Sequence, residues 1–150
     1  MNSDVKTQKT ITVIISSHIE FVSPLRIFIR NLLDGENWNP ENIDNVEIGF
    51  DETITNVIKH TYSYNLEYKV VIEIFLSSKE AVIDIKDKGK PFNPTLLVIP
   101  QIKDQIKLHH ERFFGTSLIR KCLDKVEYFS SSEFSNILRL TKYNRYPDSA

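Results

Sequence analysis

Glu52, Asn56 and His60 recur at intervals of four, inside a stretch whose apolar residues keep helical spacing. They therefore stack on one face of a helix, away from the apolar stripe. A carboxylate one turn from a carboxamide offers a proton acceptor and a neutral oxygen ligand together. Asn56 suits Mg²⁺, which takes hard oxygen ligands, keeps several waters and is often held by one or two protein groups plus phosphate oxygens. Glu52 suits the orientation or deprotonation of a hydroxyl. The bland alternative is an ordinary polar helix face.

A second cluster, Asp87-Lys88-Gly89 followed by Pro91-Phe92-Asn93-Pro94, comes straight after a strand-like run. A carboxylate at a strand end can accept from an exocyclic amine such as adenine N6. Gly89 lets backbone approach a flat ring. The alternative is a turn closed by Asp and Gly. A third piece, Gly115-Thr116-Ser117-Leu118-Ile119, is placed to open a helix, whose free amides favour phosphate. The alternative is a loop glycine ahead of a helix.

The elements that must carry these residues follow from hydrophobic patterning. Lys9 to Ile15 reads as a strand. Ser23-Pro24 starts a helix with Leu25, Phe28, Ile29 and Leu32 as its apolar stripe, and Gly35 is placed to end it. Asn39-Pro40 starts a longer helix to about His60, with Ile43, Val46, Phe50, Ile54, Val57 and Ile58 inward. Thr61 to Glu67 reads as a loop. Tyr68–Ser77 and Ala81–Lys86 form a hairpin. Thr95 to Phe114 reads as a connector with one short helix, and Thr116 to Leu123 as a helix. Val126–Ser130 and Asn136–Lys142 close the chain as a second hairpin around Ser131–Glu133, with a frayed polar tail from Asn144. The order implies an α+β, two-layer sandwich: a mostly antiparallel sheet with helices on one face. The other face is left solvated or free for contacts.

Whole-chain arithmetic narrows the function classes. At 150 residues the chain suits a single domain, 1–150, with its core at about 9–142. Lys and Arg number 19 against 20 acidic residues, a balance unlike that of a general nucleic-acid binder. A lone cysteine, Cys122, excludes an intrachain disulfide and a cysteine-built zinc site, and it reads as core. The apolar runs are too short to span a membrane, and the polar N-terminus lacks a signal-peptide core. A soluble cytoplasmic protein is the simplest expectation.

In this order and spacing the three clusters resemble the GHKL superfamily of histidine-kinase-like ATPases, and within it the anti-sigma factor serine/threonine kinases. Their pattern E-x-x-x-N-x-x-x-H is met by Glu52, Asn56 and His60. D-x-G-x-P-F-D-P is met by Asp87, Gly89, Pro91, Phe92 and Pro94. The last motif is met in part by Gly115, Leu118, Ile119, Leu123, Asp124, Val126 and Tyr128, so the resemblance runs from about Ile11 to Leu140. It implies the histidine-kinase-like ATPase fold, ATP and Mg²⁺ as cofactors, and phosphorylation of a serine or threonine on a STAS-type anti-sigma-factor antagonist. A sigma factor is the second implied partner and a homodimer the implied assembly. By the same resemblance Asn56 holds Mg²⁺ and Glu52 is the catalytic carboxylate. Asp87 binds the adenine amine with Gly89 beside the ring. His60 and Phe92 complete the nucleotide-binding motifs, and Gly115 and Thr116 meet phosphate beneath a lid of about Thr95 to Phe114. Arg112 is a candidate for neutralising the transferring phosphoryl group by position alone. The chain departs from the pattern at Asn93 (family Asp), Phe113 (family Gly) and Thr116 (a leucine-like position). A bulky Phe113 stiffens the lid, which leaves a second reading open: a catalytically weak or inactive ATP-binding module that works by partner capture.

Overall fold

A computed structural model describes residues 8–61, 67–93, 95 and 111–147; the side chains of residues 60, 61 and 111–116 are not among what it describes. β1 (Lys9–Ser16), β2 (Lys69–Leu76), β3 (Glu80–Asp87), β4 (Lys125–Phe129) and β5 (Asn136–Tyr143) form one sheet in the order β1-β2-β3-β5-β4. Every neighbouring pair is antiparallel. Helices α1 (Val22–Gly35), α2 (Pro40–Asn56) and α3 (Glu111–Cys122) supply the second layer.

The two-residue period of the strands is written in their burial. Val70, Ile72, Ile74 and Leu76 of β2, Ala81, Ile83 and Ile85 of β3, and Leu138 and Leu140 of β5 are all buried. All but Leu138 pack with Ile43, Val46, Phe50, Ile54, Val57 and Ile58 of the second helical segment, each nearly inaccessible. The alternate residues face away and carry ion pairs. Arg139 donates from Nε and Nη2 to the two oxygens of Asp84, both at 2.8 Å, and Lys86 meets Glu73 at 2.9 Å.

Several expectations shift in detail. A 3-10 turn, Ile19–Phe21, precedes α1, whose N-cap is Phe21, so Ser23 lies inside the helix and caps nothing. The buried line of α1 is Val22, Leu25, Ile29 and Leu33; Phe28 stays 38% exposed and Leu32 only partly packs, a rotation of the inward stripe by part of a turn. Gly35 does close α1, but the left-handed residue after it is Asn37, at φ 56°. Asparagine tolerates that conformation better than most side chains. At α2 the reading matches: Asn39 is the N-cap, its side chain accepting from the Glu41 amide at 3.0 Å, with Pro40 at the first helical position.

The tail does not fray at Asn144. Asn144 Oδ1 accepts from the Asn39 amide at 2.9 Å, its Nδ2 donates to the Ser78 carbonyl at 2.8 Å, and the Arg145 carbonyl accepts from Asn42 Nδ2 at 2.7 Å. The polar composition suggesting disorder is the polarity that these contacts use. Among the described residues no helix is long and apolar enough to cross a membrane.

Candidate functional site

Two parts of the site can be built from side chains. The first sits where β3 ends. Asp87 is the last residue of β3, 1% exposed, and stands opposite Asn136, the first residue of β5. Its Oδ1 accepts from the Gly89 amide at 2.9 Å and from Asn136 Nδ2 at 2.8 Å. Its Oδ2 is buried with no hydrogen-bond partner, alone in this among the described residues. Burial pushes the Asp87 carboxyl above its ordinary value, while the bonds from Asn136 and Gly89 pull the other way. A buried acceptor without a donor costs about 1–3 kcal/mol, so Oδ2 calls for a donor, which a buried water or a ligand can supply. The fitting ligand brings a hydrogen-bond donor, and the exocyclic amine of adenine is one.

The turn after Asp87 is held as tightly. Ser135 Oγ donates to the Gly89 carbonyl at 2.6 Å, the Phe92 amide donates to Asn136 Oδ1 at 2.9 Å, and Tyr128 Oη donates to the same oxygen at 2.8 Å. Gly89 contributes its amide here rather than an unusual φ, since no described glycine has a positive one. Asn93 closes the turn, its Oδ1 accepting from the Thr95 amide at 3.0 Å. A neutral carboxamide forms this Asx turn as well as the family's carboxylate would.

The second part lies on α2. Glu52 and Asn56 are half-buried on the side of α2 away from the sheet. Glu52 opens onto a groove of about 480 Å³ that Arg26, Ile27, Glu47, Ile48, Asp51 and Leu118 also line. Arg26 lies 4.0 Å from Asp51. At Asn56 the α-helix ends, and the chain continues as one π-helical turn, Val57–Thr61. Such widened turns are rare and collect at functional sites. His60 lies in that turn, with its side chain outside the described residues. Among the described residues no three His, Cys, Asp or Glu side chains cluster for a metal. A magnesium ion here would lean on the Asn56 oxygen, phosphate and water, a coordination the hard ion accepts.

α3 differs from its expectation. Its described part runs Glu111–Cys122, so Gly115 lies inside it and does not open it. The glycine and the short β-branched residue after it suggested a start, but the helix continues N-terminally through Glu-Arg-Phe-Phe. The side chains of Arg112 and Thr116, and most of the expected lid at Thr95 to Phe114, lie outside the described residues. Leu118, one turn beyond Gly115, lines the Glu52 groove, so α3 runs beside α2 there. Arg120 Nη2 donates to the Thr95 carbonyl at 2.9 Å, which ties α3 to the segment leaving the Asp87 turn. The residue missed by sequence reasoning is Asn136; its signal is visible only in sheet register, where it faces a residue 49 positions earlier.

Comparison with known proteins agrees with this architecture. A family model described as histidine kinase-like ATPase domain matches residues 15–142. The chain is 26% identical over 129 residues to the serine-protein kinase RsbW of Staphylococcus aureus strain JH9, covering 83% of this chain and 80% of that protein. It is 23% identical over 133 residues to the serine-protein kinase RsbW of Oceanobacillus iheyensis, with the same coverage of each. The crystal structure of the RsbU and RsbW domains of a Mycobacterium tuberculosis protein superposes with a TM-score of 0.64 over 92% of this chain, at 12% identity. This chain spans 33% of that longer one, and the likeness is one of fold. With a match over most of its length, an antiparallel five-stranded sheet under helices, and relatives of the RsbW type, the chain belongs to the histidine kinase-like ATPase domain family.

Proposed function

We propose that this chain is an ATP-dependent serine/threonine-protein kinase of the anti-sigma-factor type, whose acceptor is a STAS-type antagonist protein and whose other partner is a sigma factor. The observation that carries the reading is the buried, unpartnered Oδ2 of Asp87, on a carboxylate otherwise fully engaged. The family match and the RsbW relatives support the kinase class.

The roles follow from chemistry already described. Asp87 accepts from the adenine amine, with Gly89 and Phe92 in the turn beside the ring. Asn56 holds Mg²⁺, which, when bound, neutralises charge on the phosphates and orients them. His60, in the π-helical turn, lies at the same end of the helix. Glu52 accepts the proton of the acceptor hydroxyl as the phosphoryl group leaves ATP; it sits on a groove open to a protein segment. Arg112 and Thr116, on α3, serve the phosphate end. Residues 9–142 act as one nucleotide-binding unit, paired with a second copy. Adding a phosphoryl charge to the antagonist disfavours its rebinding, which makes the reaction a switch.

Incubation with Mg-ATP and the antagonist yields phosphoserine or phosphothreonine, and Glu52→Ala abolishes it while ATP still binds. Undiminished product in that variant overturns the role of Glu52. One observation favours the second reading, an ATP-binding module acting by partner capture: Gly115 lies within α3, so its amide is spent in the helix and not held ready for phosphate. ATP binding without transfer to any antagonist supports that alternative.

A further inference from the structure

The carboxamide of Asn136 has no spare hydrogen-bonding capacity. It is 2% exposed. Nδ2 donates to Asp87 Oδ1 at 2.8 Å and to the Lys90 carbonyl at 3.1 Å. Oδ1 accepts from the Phe92 amide at 2.9 Å and, at 2.8 Å, from Tyr128 Oη, whose one proton is shared with the Ser135 carbonyl at 3.0 Å. Two donors and two lone pairs meet two acceptors and two donors, so the orientation of the amide is fixed by its surroundings. One side chain thus joins the end of β3, both sides of the turn after it, and β4.

We propose that Asn136 is a positioning residue that sets nucleobase selectivity by saturating Oδ1 of Asp87 and presenting Oδ2 alone to the base. The inference rests on the reading of Asp87 as the adenine acceptor. With Oδ1 held by Asn136 Nδ2 and the Gly89 amide, the carboxylate cannot rotate without breaking two bonds. The face left over is a pure acceptor. It takes a base with an amine at that position, and it repels one with a carbonyl there, since two acceptors would meet in a dry site. No other side chain of similar size replaces the set. Aspartate is isosteric but has no donor when ionised, and would set two carboxylates against each other. Serine keeps a single hydroxyl for four partners.

The aspartate variant gives a readout that a merely structural role would not move. Two facing carboxylates share one proton, so in Asn136→Asp the pair takes up a proton at higher pH than either acid alone. Once protonated, the introduced carboxyl again donates to Asp87. Among the described residues the groups facing the pair are few: Tyr128 from β4, whose hydroxyl burial and the Asp87 charge push up and keep neutral, and the turn lysines Lys88 and Lys90. Lys88 points its ammonium over the Phe134 ring, 5.6 Å from the centroid.

The test is calorimetric titration of the whole chain with Mg-ATP and with Mg-ITP, which carries a carbonyl in place of the amine, at about pH 8 and about pH 5.5. The wild-type chain prefers ATP. Asn136→Asp loses about ten- to a hundredfold in ATP affinity at the higher pH, the loss of one charge-assisted hydrogen bond, and its deficit against wild type closes at the lower pH. If Asn136→Asp does not fold, Asn136→Ser shows the same weakening and a reduced preference for ATP over ITP, at both pH values. Wild-type affinity and preference in either variant overturn the inference. So does an Asn136→Asp deficit that is equal at both pH values. ATP binding that needs Asp87 but not Asn136 overturns this inference alone, whereas no ATP binding by the wild-type chain overturns the proposed function with it.

Discussion

Asp87 is buried before any ligand arrives, and its energetics follow from that. Its folded-state pKa is raised by burial, so the folded protein holds this proton to higher pH than the unfolded chain does. Between the unfolded and folded values the native state binds more protons, and stability falls as pH rises through that window. Asp87→Asn removes the titration while keeping an Oδ1 acceptor for Gly89 and Asn136. The variant is therefore expected to gain stability relative to wild type as pH rises from about 4, measured by thermal or urea unfolding across pH. A difference independent of pH contradicts the assignment. At the same scale Glu52→Ala should lower phosphoryl transfer by about a hundredfold or more, with ATP affinity kept within about threefold, measured by single-turnover phosphorylation. Asp87 was legible in the sequence because a carboxylate at a strand end followed by x-Gly is a local pattern. Asn136 was not, because nothing local distinguishes an asparagine opening a strand; only the pairing of β3 with β5 gives it a role. Asp124 and Tyr128 were legible as motif positions but not in what they do. Asp124 accepts from the Tyr143 amide at 2.7 Å and pairs with Arg145 at 2.8 Å, while Tyr128 braces Asn136.

Among the elements, α1, α2 and α3 line the Glu52 groove, and α2 meets Leu123, the residue after α3, at Gly49. A Cβ at that position would lie 2.7 Å from Leu123 Cγ and 2.8 Å from its Cδ1. Gly49→Ala gains about 1 kcal/mol of helix propensity but overpacks a buried contact, at a cost of about 1–3 kcal/mol. The expected net effect is destabilisation of up to about 2 kcal/mol in urea unfolding, relieved when Leu123→Ala is added. A stabilised single variant contradicts this packing. The strands and α2 were legible because burial on one face writes a period of two or 3.6 into the sequence. The start of α3 was not: Gly115 looks like a boundary, yet a glycine is tolerated within a helix that packs. The π-helical turn after Asn56 has no sequence signature at all, since Val-Ile-Lys-His-Thr continues the helical pattern unbroken.

Over the whole molecule, the sheet order β1-β2-β3-β5-β4 brings the start of β5 to Asp87 and the end of β5 to the other end of the sheet, where the chain locks down. There Asn144 bridges the start of α2 and the β2–β3 turn. Asn144→Ala is expected to lower stability by about 1–3 kcal/mol, because it leaves part-buried backbone groups unpaired. An unchanged urea midpoint would mean that the tail frays in solution, as its composition alone suggests. Such long-range closure cannot be read from a polar terminal run. Order and spacing of the three motifs could be, which is why the family was legible while the geometry joining them was not. The account stands on an adenine nucleotide meeting Asp87 Oδ2. Titration of the chain and of Asp87→Ala with Mg-ATP tests it most directly. Saturable binding by the wild-type chain that Asp87→Ala abolishes is the predicted result. Absence of binding, or equal binding by both proteins, would contradict it.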